Sequence, residues 1–271
     1  MDANRLRRLA AEVDREHCAS MGGVRADLER TLDRRALVRR IGGFAVTIAG
    51  VSVAIPALAT AAEAQQSTTT VGSQGASTTA GGAGTTSAAT TAAPSAPTTT
   101  TTLPPSKPQP VDLAFLSFAQ SVELAAVQAY GLALASTLLS DDVAAVALAF
   151  QNHHRDHAQA FAGMAGKAAT GVANQSLLTA FNPQFQTAST EAGILQAALA
   201  LETAAASTYT AGLAQIIGTD PAYLVGSILP IEARHAVVLG ESLDLDLDAY
   251  SPVFETTANA LSPAQYPIVE K

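Results

Sequence analysis

A glutamate and a histidine stand three residues apart at Glu232 and His235, within the apolar run from Ile231 to Ala236. On a helix this spacing puts both side chains on one face, one turn apart, so a carboxylate oxygen and an imidazole nitrogen reach a common point. That is the geometry of a metal-ligand pair, although a single Glu-x-x-His is more often an ordinary surface pair. Its company argues for chemistry. Glu202 lies upstream on another expected helix, and the arrangement occurs a second time. Glu123 to Tyr130 corresponds to Glu202 to Tyr209 at an offset of 79, and His154 to Ala158 corresponds to Glu232 to Ala236 at an offset of 78. Two matched pairs at nearly one offset imply a duplicated helical hairpin.

Four helices would have to position these residues, and they are expected at 112–138, 142–166, 188–217 and 221–242. Asp141-Asp142 and Asp220-Pro221 mark helix starts, the latter as an N-cap with proline in the first turn. The second helix should end near Gly166, and a crossover of roughly twenty residues, rich in Asn, Thr, Gly and Pro, leads to the third. Short turns make each hairpin antiparallel, so residues lie level when their midpoint falls at the turn. That midpoint is 138.5 for Glu123 and His154 and 218.5 for Glu202 and His235, both inside the expected turns. Glu123, His154, His157, Glu202, Glu232 and His235 should therefore share one depth, about 22 Å into the bundle at 1.5 Å per residue.

Facing direction follows from the same pattern. Phe150, His154, His157 and Phe161 share one stripe, as do Ile228, Glu232, His235 and Leu239. Glu123 is the only charged residue between Leu113 and Ser140, and Glu202 the only one between Ala192 and Thr219. A carboxylate buried there needs a hydrogen-bonded partner or a metal; the alternative is that both face water on alanine-rich helices. Tyr130 and Tyr209 each stand two turns from their glutamate, placed to donate to a ligand carboxylate or to fill the core. His153 is spaced to pair with His157 in place of His154; the repeat alignment favours His154. Pro230 should kink the fourth helix.

The rest of the chain divides by composition. Ten of the fifteen Lys and Arg lie in residues 1–40, against seven acids, while residues 41–271 carry five bases and sixteen acids, so no basic stripe for nucleic acid exists there. Residues 1–40 alternate arginine with acids and suit a charged helix. His17-Cys18 has no second cysteine beside it and is read as an ordinary reduced pair. Residues 41–62 carry no charge and follow Arg34-Arg35, with Leu37-Val38 beyond. This resembles a twin-arginine export signal, with small-residue cleavage sites at Ala57 to Ala59 and Ala62 to Ala64; uncut, it is long enough to anchor in a bilayer. Either way the bundle is expected outside the cytoplasm of a bacterial cell, in the envelope. Residues 65–110, built of Thr, Ser, Gly, Ala and Pro, carry too little apolar surface to bury and are expected to form a disordered linker. Residues 244–271 form an acidic tail with at most a short helix.

A glutamate from each of two helices and Glu-x-x-His from the other two is the inward ligand set of the carboxylate-bridged dimetal proteins. Residues 111–243 thus resemble the ferritin-like superfamily, in particular exported bacterial members. The resemblance implies an all-α, up-down-down-up or related four-helix bundle with iron or manganese held by Glu123, His157, Glu202, Glu232 and His235. His154 stands where the family has a bridging glutamate. Three carboxylates fall one short of balancing two divalent ions, so a single Fe, Mn or Zn, or a hydrogen-bonded cluster without metal, stays open beside the dimetal site. Two functions follow: an extracytoplasmic metal-binding protein, redox active if the metal is, or a non-catalytic envelope module whose Glu and His form a polar network. A closed storage cage is disfavoured by the stalk, and a homodimer is compatible with it.

Overall fold

A computed structural model describes residues 2–41, 103–250 and 257–269, and every regular element among them is helical. The apolar stretch at 42–62, its cleavage sites and most of the 65–110 linker lie outside the described residues. Helix α1 spans Ala3–Ile41, α2 Pro110–Ala135, α3 Asp141–Ala165, α4 Gln175–Thr187, α5 Glu191–Leu213, α6 Thr219–Ser242 and α7 Leu247–Tyr250. The four expected helices are α2, α3, α5 and α6. Gly166 closes α3 in the left-handed region at φ 60°, where glycine carries no steric cost. The cap of α6 is Gly218, so Asp220 and Pro221 sit in the first turn instead of starting the helix. Helix α6 runs unbroken through Pro230.

Core composition gives the topology. One apolar cluster joins Tyr130 and Ala133 of α2, Val143 and Phe150 of α3, Ile194 and Leu201 of α5, and Val238 and Leu239 of α6. A second joins Leu116 and Ala119 of α2, Phe161 and Ala165 of α3, Tyr209 of α5, and Leu224 and Ile228 of α6. One end of the bundle therefore gathers the late part of α2 with the early parts of α3 and α5 and the late part of α6, which is up-down-down-up. In such a bundle α3 ends at the opposite end from the start of α5, so the crossover must run the bundle's length. This explains α4, a helix formed within the expected crossover. Asn174 caps it by accepting from the Leu177 N–H at 2.9 Å, and Leu177, Leu178 and Phe185 bury its inner side despite Pro183. Leu261 and Tyr266 of the acidic tail join Leu177 and Leu178 in a third apolar cluster, so that tail is partly structured.

Asp112 ties the bundle's end together. Its carboxylate accepts from the N–H of Gln109 at 2.7 Å, of Ile217 at 2.8 Å and of Gly218 at 3.0 Å, joining the start of α2 to the α5–α6 turn. Burial pushes its pKa up, but these three donors outweigh it and hold the group below its ordinary value. Helices α2 and α6 are long and apolar enough to cross a membrane; here half or more of each apolar window is buried in the bundle.

Helix α1 is more than a charged rod. Leu6, Val13, His17 and Val24 recur at helical spacing and are buried, with Leu9, Ala10 and Met21 beside them. This stripe lies on α3 and α6 and is flanked by ion pairs from Arg5 to Glu241, Arg7 to Asp142 (2.7 Å) and Glu16 to Arg234. Ser20 adds a hydrogen bond to the Ser227 carbonyl at 2.7 Å.

Candidate metal centre

Between the two apolar clusters lies a polar layer made of Glu123, His154, His157, Glu202, Glu232 and His235, each no more than 1% exposed. The structure brings together all six residues singled out by spacing. Their donor atoms form two groups, each with one ligand atom per residue within 4.8 Å of the others: Glu123, His154, His157 and Glu232, and His154, Glu202, Glu232 and His235. Glu232 and His154 belong to both. Glu232 presents Oε1 to His157 Nδ1 at 2.6 Å and Oε2 to His235 Nδ1 at 3.0 Å, so its carboxylate faces both groups. His235 Nδ1 also lies 3.1 Å from Glu202 Oε2.

His154, where the resemblance implies a bridging glutamate, lies between two carboxylates. Its Nδ1 is 2.7 Å from Glu123 Oε2 and its Nε2 is 3.0 Å from Glu202 Oε1. Carboxylates only accept, so both bonds exist together when the ring donates from both nitrogens as an imidazolium. Burial opposes that charge, yet Glu202, Glu232 and Glu123 outweigh it and raise His154 well above its ordinary value. The cation thus bolts the two glutamates of the long helices together.

The tyrosines complete a reciprocal pattern. Tyr130 of α2 donates to Glu202 of α5, and Tyr209 of α5 donates to Glu123 of α2. Each hydroxyl serves the other hairpin's glutamate, a consequence of the repeat meeting itself in antiparallel order. Both tyrosines also fill the apolar clusters, so the two roles weighed from the sequence hold together. Burial, reinforced by those glutamates, raises both phenols well above their ordinary range.

One contact in the layer is not satisfied by hydrogen bonding. His157 Nδ1 and Glu232 Oε1 lie 2.6 Å apart, but out of line for a hydrogen bond, and both atoms are without a partner, as is His157 Nε2. Three buried polar atoms of the layer are thus left without a hydrogen-bond partner. Buried donors in this condition suit a cation, so the residues present fit a divalent metal.

Two histidines outside the expected set belong to the same place. His153 is 3% exposed and contacts His235 through Nδ1 at 3.0 Å, and His17 of α1 stacks on His153 with ring centroids 3.9 Å apart. The chain has five histidines, and all five converge here. Burial first, then the neighbouring histidines, push His17 down to about 3 and His153 to about 2, so both are neutral. His17 is thus not the ordinary pair read from the sequence; the signal missed was its place on the Leu6, Val13, Val24 stripe.

Without metal the layer should titrate on both sides. Burial would raise Glu123, but His157 and His154 outweigh it and hold it at about 2, against an ordinary 4.5. Burial would lower His157, but Glu232 and Glu123 raise it to about 9, against 6.5. The acid contributes stability present above pH 4.5 and lost as pH falls through about 2; the histidine contributes stability present below 6.5 and lost as pH rises through about 9. Thermal unfolding of the metal-free chain is expected to peak between those values and to fall at alkaline pH; a Tm still rising from pH 7 to 9 would contradict the pairing.

Residues 111–244 match the family model described as a ferritin-like domain, and this part of the chain belongs to the ferritin-like superfamily. No curated protein and no solved structure matches the chain.

Proposed function

Given a ferritin-like domain at residues 111–244, we propose that the protein binds one divalent metal ion at Glu202, Glu232 and His235, with iron or manganese as the metal and zinc as the alternative. The carrying observation is that His235 Nδ1 faces carboxylate oxygens of Glu202 and Glu232 at 3.1 and 3.0 Å in a layer closed to water. Charge decides the number. Three ionised carboxylates are balanced by one divalent ion and one imidazolium, for which His154 is the group held by two acceptors. Two ions would leave a net positive charge buried among Leu, Ile and Phe, at a cost of several kcal/mol.

A bound iron or manganese supplies one-electron chemistry, and zinc supplies a Lewis acid. The chain's own residues hold Glu202 in place through the Tyr130 hydroxyl and His154, and the apolar clusters on either side exclude water. A second reading, a metal-free polar network, draws support from the same histidines, since three protonated rings would also balance three carboxylates. Titrating the purified chain with Fe(II), Mn(II) and Zn(II) separates them: about one equivalent of one metal is expected, and less than a tenth of an equivalent of every metal overturns the proposal.

The segment at 41–62 is proposed to carry the bundle out of the cytoplasm or anchor it, with the arginines keeping the N-terminus inside. A bilayer between them would part α1 from α3 and α6, so the docked form precedes translocation. Cys18 is the only cysteine and is exposed. An impermeant maleimide on intact cells is expected to spare Cys18 and to label a cysteine placed at exposed Gln159 in a Cys18→Ser background. Labelling of Cys18, or protection of both sites, contradicts this order.

A further inference from the structure

A row of three side chains runs from the surface to the metal-facing nitrogen of His235. Asp14 of α1, its side chain 58% exposed, lies 3.2 Å from Nε2 of His153 on α3. Nδ1 of His153 lies 3.0 Å from Nε2 of His235 on α6. The other nitrogen of His235, Nδ1, is the one facing Glu202 and Glu232.

A carboxylate only accepts, and a neutral imidazole has one donor and one acceptor nitrogen. The direction of every bond in the row is therefore set from Asp14. His153 Nε2–H donates to Asp14, which leaves His153 Nδ1 as acceptor. His235 Nε2–H then donates to His153 Nδ1, and His235 Nδ1–H donates to the Glu202 and Glu232 carboxylates, its proton being the one a metal would displace. Reversing the row would make His235 Nε2 an acceptor and leave the inner nitrogen holding the ring's last proton, closed to a metal. We propose that Asp14 is a positioning residue for the metal site, acting through His153 to keep a proton on His235 Nε2, so that the inner nitrogen can exchange its own proton for a cation.

The placement of α1 supports this. Arg7 with Asp142, Ser20 with Ser227 and Glu16 with Arg234 fix the helix along its length at three points. His17 lies flat against the His153 ring at an interplanar angle of 22°, which keeps that ring from turning over. On this account α1 sets a metal ligand that lies on another helix, and it does so before translocation withdraws it.

The inference rests on the metal proposal for its consequence, and its test separates the two. Long-range 1H–15N spectra of the metal-free, full-length chain in detergent should show His153 as the Nε2–H tautomer; the Nδ1–H form overturns the row whether or not metal binds. Zinc affinity is then compared in Asp14→Ala and Asp14→Asn, which are equal in charge and differ in having an acceptor oxygen. Loss of the outer partner of a ligand histidine costs about ten- to a hundredfold in affinity. Asp14→Ala is expected to fall at least tenfold, and Asp14→Asn to recover most of it. Wild-type affinity in Asp14→Ala, or equal losses in both variants, overturns the proposal. A wild-type chain that takes up no zinc while His153 remains Nε2–H defeats the metal reading and leaves the row standing.

Discussion

His154→Glu raises the metal content of the purified chain from about one ion toward two. The substitution exchanges a cation for a fourth carboxylate at the point between Glu123 and Glu202 where His154 now donates from both nitrogens. Four carboxylates balance two divalent ions, and the unpartnered atoms at His157 and Glu232 gain a cation of their own. Without metal the same variant should be markedly less stable, since it sets four acids in one apolar layer, and it should recover its Tm on metal addition. Elemental analysis after dialysis checks the first claim and calorimetry with and without metal the second. An unchanged stoichiometry would show that His154 does not limit the site.

Glu232→Gln should have the largest effect of any single change. Glu232 is the one carboxylate that faces both donor groups, at 2.6 Å from His157 and 3.0 Å from His235. The amide keeps the shape but removes the charge that both rings rely on. Breaking a buried ion pair by removing one partner costs about 3–5 kcal/mol, and the metal loses a charged ligand as well. Denaturant unfolding of the metal-free chain should show that loss, and metal affinity should fall at least about a hundredfold. Near-wild-type behaviour in both would mean that Glu232 holds neither the rings nor an ion.

Much of this was legible in the sequence, because the bundle's chemistry is written locally. Glu123 and Glu202 are isolated charges on long apolar helices, the Glu-x-x-His spacing fixes a shared face, and the repeat fixes depth. Spacing and the repeat together therefore single out the six residues that the fold buries in one layer. What escaped it depends on contacts between distant segments. The apolar stripe of α1 is thin and hidden among arginines, and nothing in its spacing reveals that it lies on α3 and α6. His153 and His154 are adjacent, both buried, and chemically alike; the repeat alignment favours His154 as the central one, and only the fold shows that His153 turns toward Asp14. Helix α4 escapes for a different reason: a crossover rich in Asn, Thr, Gly and Pro does not announce a helix, yet Asn174 is its cap and the burial of Leu177, Leu178 and Phe185 carries it past Pro183.

The central claim is that a divalent ion sits among Glu202, Glu232 and His235. Crystals of the full-length chain loaded with Mn(II) or Zn(II), measured at the metal's absorption edge, test it most directly. One anomalous peak is expected in the buried layer, within about 2.0–2.3 Å of His235 Nδ1 and of an oxygen from each glutamate. A layer with no peak, or peaks only at surface acids, would contradict it and leave the six residues as a hydrogen-bonded core.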